Sequence, residues 1–561
     1  MKNLSLITVI CCLFVLFIGC KKEFNLLTEQ GTSDPPNRSG LNNEDGLQAN
    51  GEPYEEIILG NQLVNAYSVA NMTMAYDSLL NSRSNLFSQS SFVQNLTISA
   101  THLYVCFKPQ DSTEYNYLID ESGLTLFHYP LDYEIIQQGL YYIRPGSQYG
   151  DLPWLYTTIP VGQANSIIVP YDVLEKCFIP DELVLSDKHN ASALTETMAM
   201  LELEALMQTR NITQEEYEEA IFVSRGAKNP SGYIKVKNTS TQNLEGVRKV
   251  KVRVHNIIKL CEATTDENGY YKMSKSYLTN VHYATIFENS TGFKVWGNWA
   301  FLCPANYNMG WHSNSGHNRN IETNSDAWPW ATVNNAAYIY REKICPNLNI
   351  TKPASNLRIW FINKSNGMGA APMTHRTPIQ LAAFNILLGM FSINSYLSFI
   401  AFVLPDVFII CNVKDTEKFY SLVFHELSHA SHYEKAGSGY WLNYISGIVA
   451  NVNKNTYGDG TGALDGYIGV GEMWGEYFEW RCMTNITALG YSFTNVPTPG
   501  TTYWFKPKIL YNLQLQCSLT PKQIYDCLTS DVTNHSQLKS KLISKYGNSA
   551  SITAVFAAFG F

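Results

Sequence analysis

The sequence lacks any long run of lysine or arginine, and its 40 basic residues are outnumbered by 48 acidic ones, for a net charge of -8. That charge is spread along the chain, which argues against nucleic acid as the main partner and for an ordinary acidic surface. Paired thiols are missing as well. With Cys11, Cys12 and Cys20 set aside in the leader described below, nine cysteines remain, and no two stand at C-x-x-C spacing. A thiolate zinc site or dithiol redox motif is therefore not expected. An odd number cannot all pair within one chain, and their spacing assigns no disulfide. Apolar residues, by contrast, are plentiful: 45% of the chain is hydrophobic and 13% aromatic. That is ample for sizeable cores, and 561 residues are too many for one, so about two to four domains are expected.

The first twenty residues read as an export signal. Lys2 supplies positive charge, Leu4 to Ile18 form a short apolar run, and Gly19-Cys20 closes it; such a run is short for a membrane span. The small residue before cysteine resembles the lipobox of bacterial lipoproteins, although Phe17 stands where leucine is usual. The resemblance implies cleavage before Cys20, lipid on that cysteine and anchoring to a membrane, the Gram-negative outer membrane by expectation. A plain secretory signal is the alternative. Residues 20–54 are polar and read as a flexible tether.

Residues 55–227 mix strand-like stretches (Leu96–Pro109, Gly139–Pro145) with a helical pattern over Ser192–Thr209, which predicts an N-terminal α+β domain. Residues 230–296 alternate as short strands. There Thr264–Tyr271, with Asn268-Gly269 at a tight turn, resembles the hairpin of carboxypeptidase-regulatory-like modules, implying a small antiparallel β-sandwich. From 297 onward the pattern predicts a helix over Asn334–Lys343 and a strand over Leu357–Asn363. An apolar stretch, Ile379–Ile410, follows. Asn385, Asn394 and Pro405 break it into pieces shorter than a bilayer, so a buried helix over Pro378–Phe391 and a strand over Pro405–Ile410 are expected rather than a membrane span. Ser518–Tyr546 supplies helical material for a C-terminal subdomain.

Chemistry concentrates in FHELSHASHY, Phe424–Tyr433. On a helix, His425 and His429 are four apart and share a face, so both imidazoles can reach one ion. Glu426 is placed to act on a water beside it, the logic of H-E-x-x-H zinc peptidases. Such a site needs a third protein ligand. Downstream, Gly471–Glu479 (GEMWGEYFE) reads as a second helix with Glu472, Glu476 and Glu479 on one face and Met473, Trp474, Tyr477 and Phe478 on the apolar side.

The HExxH followed by an E-x-x-x-E helix resembles the gluzincin class of metallopeptidases. The histidine-rich third-ligand pattern of metzincins is absent. The resemblance is carried by Pro405–Arg481 and implies a zincin-like catalytic domain over 297–561, a mixed sheet plus active-site helix. By it, His425, His429 and Glu472 hold Zn2+, Glu426 is the general base, and Glu476 steadies a ligand imidazole. Tyr467 is the expected oxyanion donor, with His375 and Tyr457 behind it. The strand at Gly367–Met373 (GMGAAPM) is expected to receive a peptide substrate along its edge. Glu479 is expected on the solvated helix surface, and His432 off the ligand face, either at the surface or behind a ligand. Asp459 and Asp465, in a glycine-rich loop, lack calcium-loop spacing, and a flexible active-site loop is expected there. His312 and His317 are expected to be unliganded. The implied function is that of an exported, membrane-anchored zinc metallopeptidase acting on proteins or peptides. The alternative is a non-catalytic surface lipoprotein that binds glycan or protein.

Overall fold

The centre of the protein is an eight-stranded mixed sheet whose strands alternate sides at every residue. In the computed structural model its strands are β1 (Val250–Asn256), β2 (Lys259–Thr264), β3 (Val281–Asn289), β4 (Phe293–Trp296), β5 (Asn306–His312), β6 (Leu357–Ile362), β7 (Met368–Ala370) and β8 (Val407–Ile410). The order is β2-β1-β3-β4-β6-β8-β7, with β5 also pairing β3. β4, β6 and β8 run parallel, and β7 closes the edge antiparallel to β8. The structure describes residues 47–48, 50, 52–81, 96–147, 151–180, 191–223, 227–297, 303–364, 368–377, 405–452, 455–494, 496 and 498–561.

Period-two alternation sorts each central strand into two faces. Phe293, Val295, Leu357, Ile359, Phe361, Val407 and Ile409 enter the core shared with the helices. Trp296, Trp360 and Phe408 face the opposite side and pack against Val105, Phe107 and Leu155 of the N-terminal region. On the helical face lie α1 (Ala327–Ile339), every residue of which is buried, α2 (Thr416–Ala436), α3 (Ser438–Ala450) and α4 (Asp465–Asn485). Behind them stand α5 (Lys508–Cys517), α6 (His535–Tyr546) and α7 (Ser549–Ala557), the helical C-terminal material that was expected.

The fold is thus mixed α and β, built on several sheets, and Asp45–Phe561 form one compact unit. The N-terminal region supplies a three-stranded antiparallel sheet with His102–Phe107 between Leu155–Pro160 and Tyr171–Cys177, and the helix Ala191–Gln208. Its core includes Ile257 and Ile258 from the β1–β2 connection and Leu260 from β2.

The small sandwich expected over 230–296 is not a closed module. Ser231–Lys237, Leu244–Gly246 and Tyr270–Lys272 join Arg319–Ile321 in one sheet, while β1 to β4 belong to the central sheet. The expected hairpin is instead a crossing between these two sheets. Gly269 (φ +81°) makes the turn, and the Asp266 side chain accepts from the N–H of Asn268 and Tyr270. The boundary expected after Trp296 falls inside the central sheet, because β4 pairs directly with β6. Periodicity identifies strands but not their partners, which is why a sheet that continues past 296 was invisible to it.

The helix expected over Pro378–Phe391 lies outside the described residues, as do the leader and residues 20–46; the strand expected after it is β8. Among the described residues no helix is long and apolar enough to cross a membrane. All nine cysteines after the leader are free thiols, eight of them buried.

Candidate metal centre

α2 begins where Asp415 accepts the N–H groups of Glu417 and Lys418 (2.9 and 3.3 Å), which satisfies donors that a helix start leaves open. It ends at Gly437, whose φ of +81° suits a residue without Cβ. Phe419, Tyr420, Val423, Phe424, Leu427 and Ala430 enter the main core, and this apolar stripe fixes the rotation of the helix. α4 lies across it, with Val470, Met473, Trp474, Tyr477 and Phe478 in the same core. The Trp474 indole N–H donates to the Ser428 carbonyl at 3.0 Å, locking one helix to the other.

That docking brings three side chains from two helices to one point. The Nε2 atoms of His425 and His429 are 3.1 Å apart. Glu472 places one carboxylate oxygen 3.6 Å from His425 Nε2 and the other 3.5 Å from His429 Nε2. A tetrahedral zinc with nitrogen and oxygen ligands at about 2.0–2.1 Å has ligand–ligand edges of about 3.3 Å, so the spacing fits such an ion. Among the described residues this is the one cluster whose His, Cys, Asp and Glu atoms stand close enough for a shared metal. Gly475 makes the approach possible. A Cβ there would stand 2.8 Å from His429 Cε1 and 2.9 Å from His425 Cε1.

The electrostatics ask for a cation. Burial opposes protonation of His425, but hydrogen bonds to Glu472 and Glu479 outweigh it and raise its pKa well above the usual imidazole value. Burial lowers His429 to about 4, which keeps it a neutral ligand. Burial opposes ionisation of Glu472, yet the two histidines and Tyr444 hold its carboxyl below the usual range. Two carboxylates therefore converge on His425, and a proton there does the work that a divalent ion can do better. Glu426 is 4% exposed, and burial raises it to about 8, with Glu472 and Glu479 adding to the rise and His425 opposing it. Its Oε2 has no hydrogen-bond partner among the described residues.

The remaining expected residues divide. Glu479, expected on the solvated surface, is 9% exposed and bonds His425 Nδ1 at 3.1 Å, while its other oxygen accepts from Ser421 Oγ. This is the role expected of Glu476, which is half-buried and forms no hydrogen bond among the described residues. Helix geometry explains the exchange: at about 100° per residue, Glu479 lies about 20° from the direction of Glu472, and Glu476 about 40° to the other side. His432, expected at the surface or behind a ligand, is fully buried against Tyr440 and Trp441. Tyr467 lies about 140° around α4 from Glu472 and packs on Tyr440, with ring centres 5.1 Å apart. His375 is drawn to Asp406 at 3.7 Å. His312 and His317 stack on each other, centres 3.6 Å apart, and His312 Nε2 pairs with the Met309 carbonyl.

Three contributors carried no signal of their own in the sequence. The Tyr444 hydroxyl, from α3, donates to Glu472, and Ser421 donates to Glu479. Tyr503 packs edge-on to Tyr457, ring centres 5.6 Å apart, in the field of Glu476 and Glu472. The edge strand β7 lies where the sequence pattern put it: Gly369 sits so close to Glu426 that a Cβ would stand 2.4 Å from its carboxylate. In the loop before α4 the Asp465 carboxylate accepts the N–H groups of Asp459, Gly460 and Gly462. No model of a known protein family matches the chain, and none of the curated proteins does.

Proposed function

We propose that this chain is a zinc-dependent peptidase of gluzincin type, exported and held at a membrane through Cys20. One observation carries the reading of the site. A buried carboxylate with an unpartnered oxygen, Glu426, stands beside a His425–His429–Glu472 ligand set and against a sheet-edge strand whose Gly369 leaves room for it. A binding protein gains nothing from burying a carboxylate in that place, whereas hydrolysis needs a base there.

His425, His429 and Glu472 would hold the ion, which supplies Lewis acidity and lowers the pKa of a water. Glu426 takes the proton of the attacking water and passes it to the departing amine. Ser421 and Glu479 fix the His425 ring by holding its Nδ1–H, and Tyr444 fixes one oxygen of Glu472. Among the described residues β7 pairs with β8 alone, and its other edge is the one we assign to an extended peptide aligned by backbone hydrogen bonds. Tyr457 replaces Tyr467 as the candidate donor to the oxyanion, since the Glu472 carboxylate, burial and Glu426 together raise its phenol, which locates it in the field of the site.

The test is metal analysis of purified protein with a quenched-fluorescent peptide library, with and without chelator. About one zinc per chain and chelator-sensitive cleavage are expected. A metal-free protein that cleaves nothing refutes the reading. For the anchor, mass spectrometry of protein from cells is expected to find acyl chains on Cys20, and an unmodified Cys20 refutes that part alone.

A further inference from the structure

The loop between α3 and α4 is folded around a single carboxylate. Asp465, the first residue of α4, is 2% exposed. Its Oδ2 accepts the N–H groups of Asp459 at 3.2 Å, Gly460 at 2.9 Å and Gly462 at 3.0 Å, and its Oδ1 accepts Asn451 Nδ2 at 2.9 Å. Gly458 (φ +69°) and Gly460 (φ +90°) supply the backbone turns that aim those N–H groups inward. A Cβ at Gly458 would stand 2.4 Å from the Asp465 carboxyl group, and one at Gly460 would stand 2.7 Å from the Trp504 ring. Trp504 in turn donates its indole N–H to the Tyr457 carbonyl at 2.8 Å. The loop is therefore fastened from inside by Asp465 and from outside by Trp504. A lid that opens freely keeps few such bonds.

What the fastened loop presents is Tyr457. Its ring packs edge-on to Tyr503 and Phe505, centres 5.6 and 5.8 Å away, and against the aromatic cluster that contains Tyr444, whose hydroxyl donates to Glu472. Asp465 and Glu472 are seven residues apart on one helix, so they lie nearly on one line along α4. One side chain thus joins the loop to the helix that carries the third ligand.

We propose that Asp465 is a positioning residue, whose carboxylate holds the loop so that the Tyr457 phenol faces the His425–His429–Glu472 cluster. The inference rests on reading that cluster as a metal site. An acceptor with two oxygens is required, because three backbone donors meet one oxygen and an amide donor meets the other. Asparagine keeps the size but turns an N–H2 group toward donors, which breaks part of the set.

The experiment uses the full chain loaded with cobalt(II), with 3-fluorotyrosine in place of Tyr457. Cobalt is expected to shift and broaden the fluorine resonance in the otherwise unchanged protein, and the effect is expected to be lost in Asp465→Asn. Asn451→Ala removes a single donor to the same carboxylate, so a smaller loss in the same direction is expected even if Asp465→Asn fails to fold. On a cleaved peptide, Asp465→Asn should lower kcat by about 10–100-fold with KM little changed, as a small misplacement does. Tyr457→Phe combined with Asp465→Asn should be no slower than Tyr457→Phe alone. A resonance untouched by bound cobalt, or one equally shifted in Asp465→Asn, overturns the inference and leaves the metal site standing. A chain that takes up no cobalt overturns the metal reading and the inference with it.

Discussion

At the scale of single residues, the site depends on which carboxylate does which task. Glu472 and Glu479 are 3% and 12% exposed in their side chains, and both reach His425. Glu472→Ala should lose most of the metal. Glu479→Gln should weaken metal affinity by about 10–100-fold, as loss of a partner to a ligand imidazole does, and Glu476→Gln should weaken it less. Competition against a chromogenic chelator ranks the three, and a larger loss for Glu476→Gln would restore the role first expected for it. Glu426→Gln preserves shape and removes the proposed base. It should retain metal while hydrolysis falls by about 100-fold or more; full activity in that variant would sink the mechanism.

At the scale of elements, the central sheet is tied to the N-terminal region by a buried ion cluster. Lys294 on β4 and Arg358 on β6 are register partners, and both point away from the helical face. Asp120 receives them at 2.7 Å each. Burial opposes its ionisation, but Lys294 and Arg358 hold its carboxyl below the usual range. Asp120→Asn leaves buried Arg358 without its counter-ion and Lys294 with Glu288 alone at 3.9 Å, which should cost about 3–5 kcal/mol, read as a fall in the denaturant midpoint at unchanged slope. A loss below about 1 kcal/mol would mean the cluster is hydrated or relaxes easily.

At the scale of the whole molecule, buried histidines make the fold sensitive to acid. His102, His255 and His535 are 2–4% exposed, and burial lowers them to about 4, 3 and 4; burial also lowers His282 well below its usual value. In the unfolded chain each takes a proton below about 6.5, whereas the folded chain refuses it. Their stabilisation is therefore complete above about pH 6.5 and is lost as pH falls toward 4. The slope is up to about 1.4 kcal/mol per pH unit for each group. Glu426, raised to about 8, and Glu476, raised by burial, act in the opposite sense, but His128, His317, His429 and His432, lowered to about 4, 3, 4 and 3, add to the histidine side. Chemical denaturation should find stability falling steeply between pH 6.5 and 4.5, and a flat profile over that range would show these imidazoles to be accessible to protons in the native state.

The sequence by itself determined what depends on local spacing. His425 and His429 share a helix face because they are four apart, and β6 and β8 were legible as apolar runs. Glu472 was singled out through the resemblance to gluzincins, since spacing alone left Glu472 and Glu476 both open. Only the tertiary structure decided what depends on how helices and strands meet. The rotation of α4 against α2, set by Trp474 and Gly475, chose Glu479 over Glu476, buried His432 and turned Tyr467 away. Pairing of β4 with β6 joined segments that alternation alone had divided. Tyr444 reached Glu472 because α3 folds back along α4, a contact made through space and recorded in no local pattern. A period of 3.6 or 2 fixes which face a residue occupies. What that face meets is set by long-range packing, which only the folded chain resolves.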